Sequence, residues 1–275
     1  MKHRSRKHAG RGNPEAESTS PFSLLIKPAG PDCNLRCDYC FYLPKQELFP
    51  ADTRAGQHER HRMSDEVLET MVRSYLETPQ PVYAFNWQGG EPTLMGLDFF
   101  ERVIELQKRH AAPGSRVSNT LQTNAVLIDG DWARFLAKHS VLTGVSLDGP
   151  QDIHDAYRRD AGGHGSFDRV MAGIEHLRGS GAEFNILTMV TSLSAGEAGG
   201  IFEFFEREGF RYQQYIPCVE FTGVDGDPDP EDELGREGEP LPYTVSPEGW
   251  GGFLTELFHR WNPAHVRDVS IRNFD

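Results

Sequence analysis

The chain has 275 residues, of which 37% are hydrophobic and 25% charged, and its formal net charge is −13 at pH 7. This composition is typical of a globular protein, and the acidic balance argues against a nucleic-acid partner, because nucleic-acid-binding proteins are normally basic. The sequence contains no apolar run long enough for a membrane span, so we expect no membrane partner. The basic segment 1–20 lacks the apolar stretch of a secretory signal, which predicts a disordered tail on a cytoplasmic protein.

Strand-like and helix-like segments alternate after this tail. The first strand is expected at 22–27, and Ser64, followed by two acidic residues, is a typical helix N-cap. Further strands are expected at 82–88, 116–123, 141–147, 184–190 and 212–216, and further helices at 99–110, 131–138, from the N-cap Ser166 to Gly179, at 197–207 and from Ser246 onward. This alternation predicts βαβ units, and therefore an α/β fold with a mainly parallel sheet of six strands.

Three of the four cysteines, Cys33, Cys37 and Cys40, lie within eight residues directly after the first expected strand. Clustered cysteines in a reducing compartment indicate metal binding, and iron–sulfur clusters are held by cysteine thiolates, most often four. Three thiolates would leave one iron of a [4Fe–4S] cluster open for a substrate or cofactor, as in metal sites that catalyse reactions. The alternative is a Cys3His zinc site in which His58 or His61 is the fourth ligand.

Two glycines and a glutamate, Gly89, Gly90 and Glu91, follow the second expected strand. Glycine allows the backbone to approach a ligand closely, and a carboxylate accepts hydrogen bonds from an ammonium group. A plain Gly-Gly turn is the alternative interpretation. Because the carboxyl ends of parallel strands are where α/β proteins bind ligands, we expect these residues to lie near the cysteines.

Polar residues also end the third and fourth expected strands. Gln122 and Asn124 could hydrogen-bond a ligand or cap the strand, and Ser146 could bind a ribose hydroxyl or a carboxylate. Arg158 lies shortly after the fourth strand and has the planar guanidinium that binds carboxylates through two parallel hydrogen bonds.

The motif C-x3-C-x-aromatic-C, with Tyr39 as the aromatic residue, resembles the signature of radical S-adenosylmethionine (SAM) enzymes. The stretches "WQGGEPTL", "LQTNAVLID" and "SLDGPQDIHDAYR" resemble one branch, the anaerobic sulfatase-maturating enzymes, and the resemblance runs from about Phe22 to Asp275. It implies a partial (β/α)6 barrel and a [4Fe–4S] cluster on Cys33, Cys37 and Cys40. The residues that it places around S-adenosylmethionine are Tyr39, Gly89, Gly90, Glu91, Gln122, Asn124, Ser146, Arg158 and Ile216.

The resemblance also implies a reaction. A low-potential electron donor of the ferredoxin or flavodoxin type would reduce the cluster, and cleavage of S-adenosylmethionine would release a 5′-deoxyadenosyl radical. The radical would start the oxidation of a cysteine or serine of a sulfatase polypeptide to formylglycine. The alternatives are another radical modification of a peptide, or a non-catalytic fragment that binds an iron–sulfur cluster or zinc.

The sequence departs from that branch at its end. Members of the branch continue into a cysteine-rich SPASM domain with two auxiliary clusters and the base proposed to act on the substrate, whereas here the only further cysteine is Cys218. We therefore expect a barrel at 21–263 with an acidic mobile loop at 224–240, and the start of a truncated extension at 264–275. No catalytic base is assigned, formylglycine formation is expected to be impaired relative to cofactor cleavage, and Cys218 is expected to be a buried thiol at a strand end.

Overall fold

The computed structural model describes residues 21–48, 61–221, 239–262 and 268–275. The predicted tail at 1–20, most of the acidic loop at 224–240 and His58 lie outside the described residues. The strands are β1 (Leu24–Ile26), β2 (Val82–Trp87), β3 (Arg116–Thr123), β4 (Leu142–Ser146), β5 (Phe184–Val190), β6 (Tyr212–Pro217) and β7 (Ser270–Ile271). The α-helices are α1 (Asp65–Leu76), α2 (Leu97–His110), α3 (Gly130–Lys138), α4 (Gln151–Tyr157), α5 (Phe167–Ser180), α6 (Ala198–Arg207) and α7 (Pro247–Trp261). Leu43–Leu48 and Pro92–Met95 form short 3-10 helices.

The strands form one open, fully parallel sheet in the order β1-β2-β3-β4-β5-β6-β7. The predicted α/β fold and partial barrel are confirmed, but the expected count of six strands was one too low among the described residues. The additional strand, β7, pairs Ser270 with Tyr212 and Ile271 with Gln213 of β6. Two residues are too few to show an alternating pattern, so the sequence carried no signal for this strand. The domain boundary at residue 263 stays a prediction.

The outer face of the sheet is apolar and is covered by the helices. In β2 the buried residues alternate as Tyr83, Phe85 and Trp87. Trp87 packs against Phe100 of α2 with 5.5 Å between the ring centroids, and Phe100 in turn contacts Trp132 of α3. Burying such aromatic side chains is a large part of what stabilises a core of this size.

The inner face of the sheet is polar. Asn86, Thr120, Gln122, Ser146 and Gln214 alternate with the core residues of their strands and are half-buried. Thr120 Oγ1 donates to Asn86 Oδ1 across the β2–β3 pair at 2.9 Å. A polar inner face can hydrogen-bond a bound molecule, while the apolar outer face holds the fold together.

Two of the three predicted serine caps are confirmed. Ser64 Oγ accepts from the Val67 N–H, and Ser246 Oγ accepts in the same way at the start of α7. Ser166 occupies the N-cap position of α5, but its side chain makes no capping hydrogen bond. Instead Asp155 Oδ1 accepts from the main-chain N–H groups of Ser166 and Phe167, so the aspartate caps this helix. None of the described helices is both long and apolar enough to cross a membrane.

Candidate cofactor site at the carboxyl ends of the strands

The cysteine loop, residues 33–40, is fixed on one side by the glycine-rich turn that follows β2. Gly90 donates its N–H to the Gly30 carbonyl at 2.9 Å, and Glu91 donates to the Asp32 carbonyl at 2.7 Å. A Cβ atom on Gly90 would lie 2.0 Å from the Asp32 oxygen, so only glycine fits there. The close backbone approach expected of Gly89 and Gly90 is therefore made to the chain itself, and it sets the position of the cysteine loop.

The other side of the loop pairs with the segment that follows α4. Arg36 donates its main-chain N–H to the Arg159 carbonyl at 2.6 Å, and Asp38 donates to the Tyr157 carbonyl at 3.1 Å. The loop is thus held between the turn that follows β2 and the segment that follows α4, and it lies at the carboxyl ends of the central strands. This is the position where parallel α/β sheets bind ligands.

Glu91 is fully buried and connects the ends of β2 and β3. Its Oε1 atom accepts from Thr93 N (3.0 Å), Thr93 Oγ1 (2.6 Å) and Thr123 Oγ1 (2.8 Å), and its Oε2 atom accepts from Asn124 N at 2.8 Å. Burial raises the pKa of Glu91 although these four hydrogen bonds favour the charged form. The structure thus shows a carboxylate that organises the strand ends, and its direct contact with a ligand ammonium stays a prediction.

The three thiols of the loop are half-buried. Asn124 Nδ2 lies 3.7 Å from Cys33 Sγ and donates to Asn34 Oδ1 at 2.7 Å, which brings the end of β3 to the loop. Burial raises the pKa of the Cys33 thiol to about 12 and that of Cys37 to about 11, and the neighbouring thiols add to both shifts. The Cys33 and Cys37 thiols therefore hold their protons at neutral pH in the metal-free protein, and a bound metal would have to displace these protons.

A second buried carboxylate, Asp148, lies at the end of β4 and connects the loop to β5. Tyr39 donates its hydroxyl to Asp148 Oδ2, and Arg158 donates from Nε to Oδ2 (2.8 Å) and from Nη2 to Oδ1 (3.1 Å). The Met189 N–H of β5 also donates to Oδ1 at 3.0 Å. Tyr39 and Arg158 were expected near the cofactor, and the structure brings them together on a residue that the sequence analysis did not select.

The charges of this second group compensate one another. Burial alone would raise the pKa of Asp148, but the Arg158 guanidinium beside it holds that pKa below its ordinary value. Arg158 was expected to bind a ligand carboxylate through two hydrogen bonds. In this structure the carboxylate that it binds in this way is Asp148. Contact between Arg158 and a ligand carboxylate stays a prediction.

His154 and Ser166 extend this group toward α5. Burial lowers the pKa of His154 to about 4, so its imidazole is neutral at physiological pH. Asp148 donates its N–H to His154 Nδ1 at 3.3 Å, which makes Nε2 the protonated nitrogen, and Nε2 lies 2.9 Å from Ser166 Oγ. Ser166 Oγ in turn donates to the Arg158 carbonyl at 2.9 Å. This chain of hydrogen bonds fixes the segment from which Arg158 projects.

Gln122 and Ser146 meet on the inner face of the sheet. Gln122 Nε2 donates to Ser146 Oγ at 3.1 Å, and the Gln122 amide crosses β4 above Gly144. A Cβ atom on Gly144 would lie 2.1 Å from Gln122 Oε1, so the glycine makes room for this pair. Ile216 is paired with Met189 in the β5–β6 register and is half-buried. Its place beside S-adenosylmethionine stays a prediction.

Several residues of the site were missed. Asp148 precedes Gly149 and Pro150, and "DGP" is typical of a turn, so its carboxylate drew no functional interpretation. Thr93 and Thr123 are ordinary strand and turn residues in the sequence. Their partner Glu91 is 32 residues from Thr123, and such distances leave no local pattern. Cys218 is buried at the end of β6, as expected, and burial raises the pKa of its thiol to about 12.

A cavity of about 660 Å³ lies at the opposite end of the sheet. The first residues of β4 to β7, namely Leu142, Phe184, Tyr212 and Ser270, help to line it. Since the cysteine loop lies at the carboxyl ends of the strands, this cavity is not part of the candidate site.

The family model of the radical SAM superfamily matches residues 28–205, a range that includes the cysteine loop, Glu91 and Asp148. The chain belongs to the radical SAM superfamily. Radical SAM proteins use a [4Fe–4S] cluster and S-adenosylmethionine, and the assignment of this cluster to Cys33, Cys37 and Cys40 stays a prediction.

Similar proteins extend the radical SAM match over most of the chain. A serine-type anaerobic sulfatase-maturating enzyme of Bacteroides thetaiotaomicron is 36% identical and covers 94% of this chain and 62% of the relative. A cysteine-type enzyme of Clostridium perfringens is 39% identical and covers 93% of this chain and 65% of the relative. A solved structure of native anSMEcpe with bound AdoMet and Cp18Cys peptide has a TM-score of 0.78 at 37% identity, over 93% of this chain and 64% of the other. The chain therefore spans somewhat less than two thirds of these proteins.

Part of the alternative zinc site lies among the described residues. Within the described ranges, no three His, Cys, Asp or Glu side chains form a group that could hold one metal ion. A [4Fe–4S] cluster places each thiolate on a different iron, so its ligands need not converge on one point. His61, one of the two histidines of the zinc alternative, has its Nδ1 atom 2.7 Å from Asp32 Oδ1. Because His58 lies outside the described residues, the zinc site stays an alternative.

Proposed function

We propose that this radical SAM protein oxidises a cysteine or serine of a sulfatase polypeptide to formylglycine. The observation that carries the proposal is the similarity over 93–94% of the chain to proteins described as anaerobic sulfatase-maturating enzymes. Because the chain spans only 62–65% of those relatives, their whole activity is proposed here for a shorter sequence. The expected cytoplasmic location and the low-potential electron donor are part of the same proposal.

The cysteine loop would hold the cluster. Cys33, Cys37 and Cys40 supply three thiolates, and the pairings of Gly90 and Arg36 with neighbouring backbone hold the loop in place. When bound, the cluster and S-adenosylmethionine would together supply a 5′-deoxyadenosyl radical able to abstract hydrogen from the substrate. The role of the protein is then to position the cofactors and to exclude water.

The polar residues at the strand ends would orient S-adenosylmethionine. Gln122 and Ser146 present an amide and a hydroxyl on the inner face, where they suit ribose hydroxyls or the carboxylate of the methionine moiety. The Nη1 side of Arg158 adds a positive charge for that carboxylate. Asn124, hydrogen-bonded to Asn34 beside Cys33, would fix the cysteine loop relative to these groups. Each of these proposed roles can be tested by substituting the residue.

The substrate class follows from the relatives. A structural neighbour was solved with a peptide bound, and the sheet of this chain is open, with β1 and β7 unpaired with each other, which supports a polypeptide substrate. A substrate-side base is not assigned among the described residues.

The test is an anaerobic incubation of the reconstituted chain with dithionite, S-adenosylmethionine and a peptide containing Cys-x-Pro-x-Arg or Ser-x-Pro-x-Arg. A peptide with alanine at the reacting position is the control. Mass spectrometry of one mixture reads both products, and we expect 5′-deoxyadenosine in excess over formylglycine. Formylglycine forming in step with 5′-deoxyadenosine would show that this chain is sufficient for the whole reaction and would contradict the expected impairment. The absence of both products would contradict the proposal as a whole.

A further inference from the structure

Two arginines lie side by side where the cysteine loop pairs with the segment after α4. Leu35 and Asp160 form an antiparallel bridge, and Arg36 donates its main-chain N–H to the Arg159 carbonyl at 2.6 Å. Arg36 and Arg159 are therefore cross-strand neighbours. Like charges in such positions repel and make the pairing less stable. A partner that binds both charges would relieve this repulsion.

Both arginine side chains are exposed. Arg36 Nη1 donates to the carbonyls of Cys33 (3.0 Å) and Leu35 (3.1 Å), and Arg159 Nε donates to the Asp155 carbonyl at 2.9 Å. Neither forms an ion pair with a carboxylate of the described residues, although Asp38 is exposed in the same loop. Carbonyl groups thus orient the two guanidinium groups, and no carboxylate of the described residues pairs with their positive charges.

This arginine pair, Arg36 and Arg159, lies directly beside the expected cluster ligands. Arg36 is between Cys33 and Cys37 in sequence, and its guanidinium contacts the main chain of Cys33. Phe41, the residue after Cys40, exposes 63% of its surface. An exposed aromatic residue and unpaired arginines are the residue types that are enriched at protein interfaces.

We propose that the arginine pair is the docking surface for an acidic, low-potential electron-donor protein. The inference rests on the proposed function, which requires an electron from outside the chain. In the transfer step the reduced donor loses one electron and the bound cluster gains it, and no covalent bond or proton changes. Short distance to the thiol ligands is what makes this surface suitable, since the Cys33 carbonyl connects Arg36 to the cluster loop.

The net charge of the chain explains why a local positive site would be needed. With 41 acidic and 28 basic residues, the molecule as a whole repels an acidic protein. Two arginines without a carboxylate partner among residues 21–48, 61–221, 239–262 and 268–275 would reverse that repulsion locally and orient the encounter toward the cysteine loop. Electron-transfer complexes are small and short-lived, so a pair of charges with one exposed aromatic ring is of adequate size.

The test uses the reconstituted chain and reduced flavodoxin, an acidic protein that donates single electrons. Arg36→Glu and Arg159→Glu are compared with Arg211→Glu, which changes an exposed arginine at the opposite end of the sheet by the same charge. Stopped-flow absorbance follows reduction of the cluster, and a titration with oxidised flavodoxin measures binding. Reduced methyl viologen, a small cation, serves as a second reductant that needs no docking surface.

We expect each change in the arginine pair to slow reduction by flavodoxin about tenfold at low ionic strength and to weaken flavodoxin binding. The difference from wild type should shrink at high salt, and methyl viologen should reduce all variants as fast as wild type. Equal slowing by Arg211→Glu, or flavodoxin rates within about twofold of wild type in both variants, would overturn the docking assignment. A wild-type chain without a reducible cluster would overturn the proposed function instead.

Discussion

Glu91 and Asp148 are both buried carboxylates at strand ends, yet their surroundings differ in charge. Glu91 accepts hydrogen bonds from two threonines and from main-chain N–H groups, all of them neutral donors. Asp148 accepts from the Arg158 guanidinium as well as from Tyr39 and Met189. Their pKa values move in opposite directions, upward for Glu91 and downward for Asp148.

This difference shows what it takes to keep a carboxylate charged inside a protein. Four hydrogen bonds from neutral donors do not offset the loss of hydration at Glu91, whereas an adjacent cation together with further hydrogen bonds does so at Asp148. The two groups also connect different parts of the site. Glu91 connects β2 with β3, while Asp148 connects the cysteine loop with β5 and the end of α4.

The largest effect is expected for Asp148→Asn. The change leaves the Arg158 charge buried without its counter-charge, and breaking a buried ion pair in this way costs about 3–5 kcal/mol. Urea denaturation of the metal-free protein measures the free energy of unfolding. Asp131→Asn, which removes an exposed carboxylate paired with Arg134, is the control and should have little effect. Similar losses in the two variants would contradict the difference between buried and exposed pairs.

The close approach of Gly90 to the Asp32 carbonyl, next to Glu91, is tested by Gly90→Ala. The added methyl group meets the Asp32 carbonyl, and relieving such overpacking costs about 1–3 kcal/mol. The cysteine loop should move as well, so iron uptake on reconstitution should fall. Gly179→Ala is the control, because no atom lies within 4 Å of its Cβ position and alanine favours the interior of α5. An equally stable Gly90→Ala protein would show that the loop does not depend on this contact.

The opposite pKa directions predict opposite pH dependences. The ordinary value for Glu91 is 4.5 and its folded pKa is higher, so its contribution to stability is present below pH 4.5 and is lost as the pH rises through the folded value. For Asp148 the ordinary value is 3.8 and the folded pKa is lower, so its contribution is present above pH 3.8 and is lost as the pH falls.

Urea denaturation at several pH values, comparing wild type with Glu91→Gln and Asp148→Asn, measures these contributions. The advantage of wild type over Glu91→Gln should shrink as the pH rises above 4.5. Its advantage over Asp148→Asn should shrink as the pH falls below 3.8. If the two differences in the free energy of unfolding change in the same direction with pH, the Arg158 charge is not what gives the two carboxylates opposite pKa shifts.

The smallest effect is expected for Tyr39→Phe. The change removes one of the donors to Asp148 and leaves the ion pair with Arg158 in place, which costs about 1 kcal/mol. Tyr157→Phe is the matched control, since its ring contacts Tyr39 but its hydroxyl makes no hydrogen bond to the described residues. If the Tyr39→Phe protein is as stable as the Tyr157→Phe protein, the hydrogen bond from the Tyr39 hydroxyl to Asp148 does not stabilise the fold.

Local patterns in the sequence predicted most of the strands and the cysteine loop. The strands at 116–123 and 184–190 match β3 and β5 because apolar alternation is a property of neighbouring residues. The partners of Asp148 are spread over Tyr39, Arg158 and Met189, and only the folded sheet brings them together. Because these partners are far apart in sequence, the sequence analysis assigned Arg158 to a ligand and interpreted Asp148 as a turn residue.

The short elements were missed for a different physical reason. The helix α4 has seven residues and β7 has two, so neither extends over enough residues to show periodicity. Ser166 was expected to cap α5 because serine is common at that position. The structure uses Asp155, 11 residues earlier, and leaves the serine hydroxyl to bind His154 and the Arg158 carbonyl.

Iron binding by the cysteine loop is the central claim, and iron content after anaerobic reconstitution tests it most directly. Cys37→Ala removes one of the three expected ligands, while Cys218→Ala removes the buried cysteine at the end of β6. We expect about four irons per chain in wild type and in Cys218→Ala, and a collapse of iron content in Cys37→Ala. A Cys37→Ala protein that retains all of its iron would contradict the assignment of the cluster to this loop.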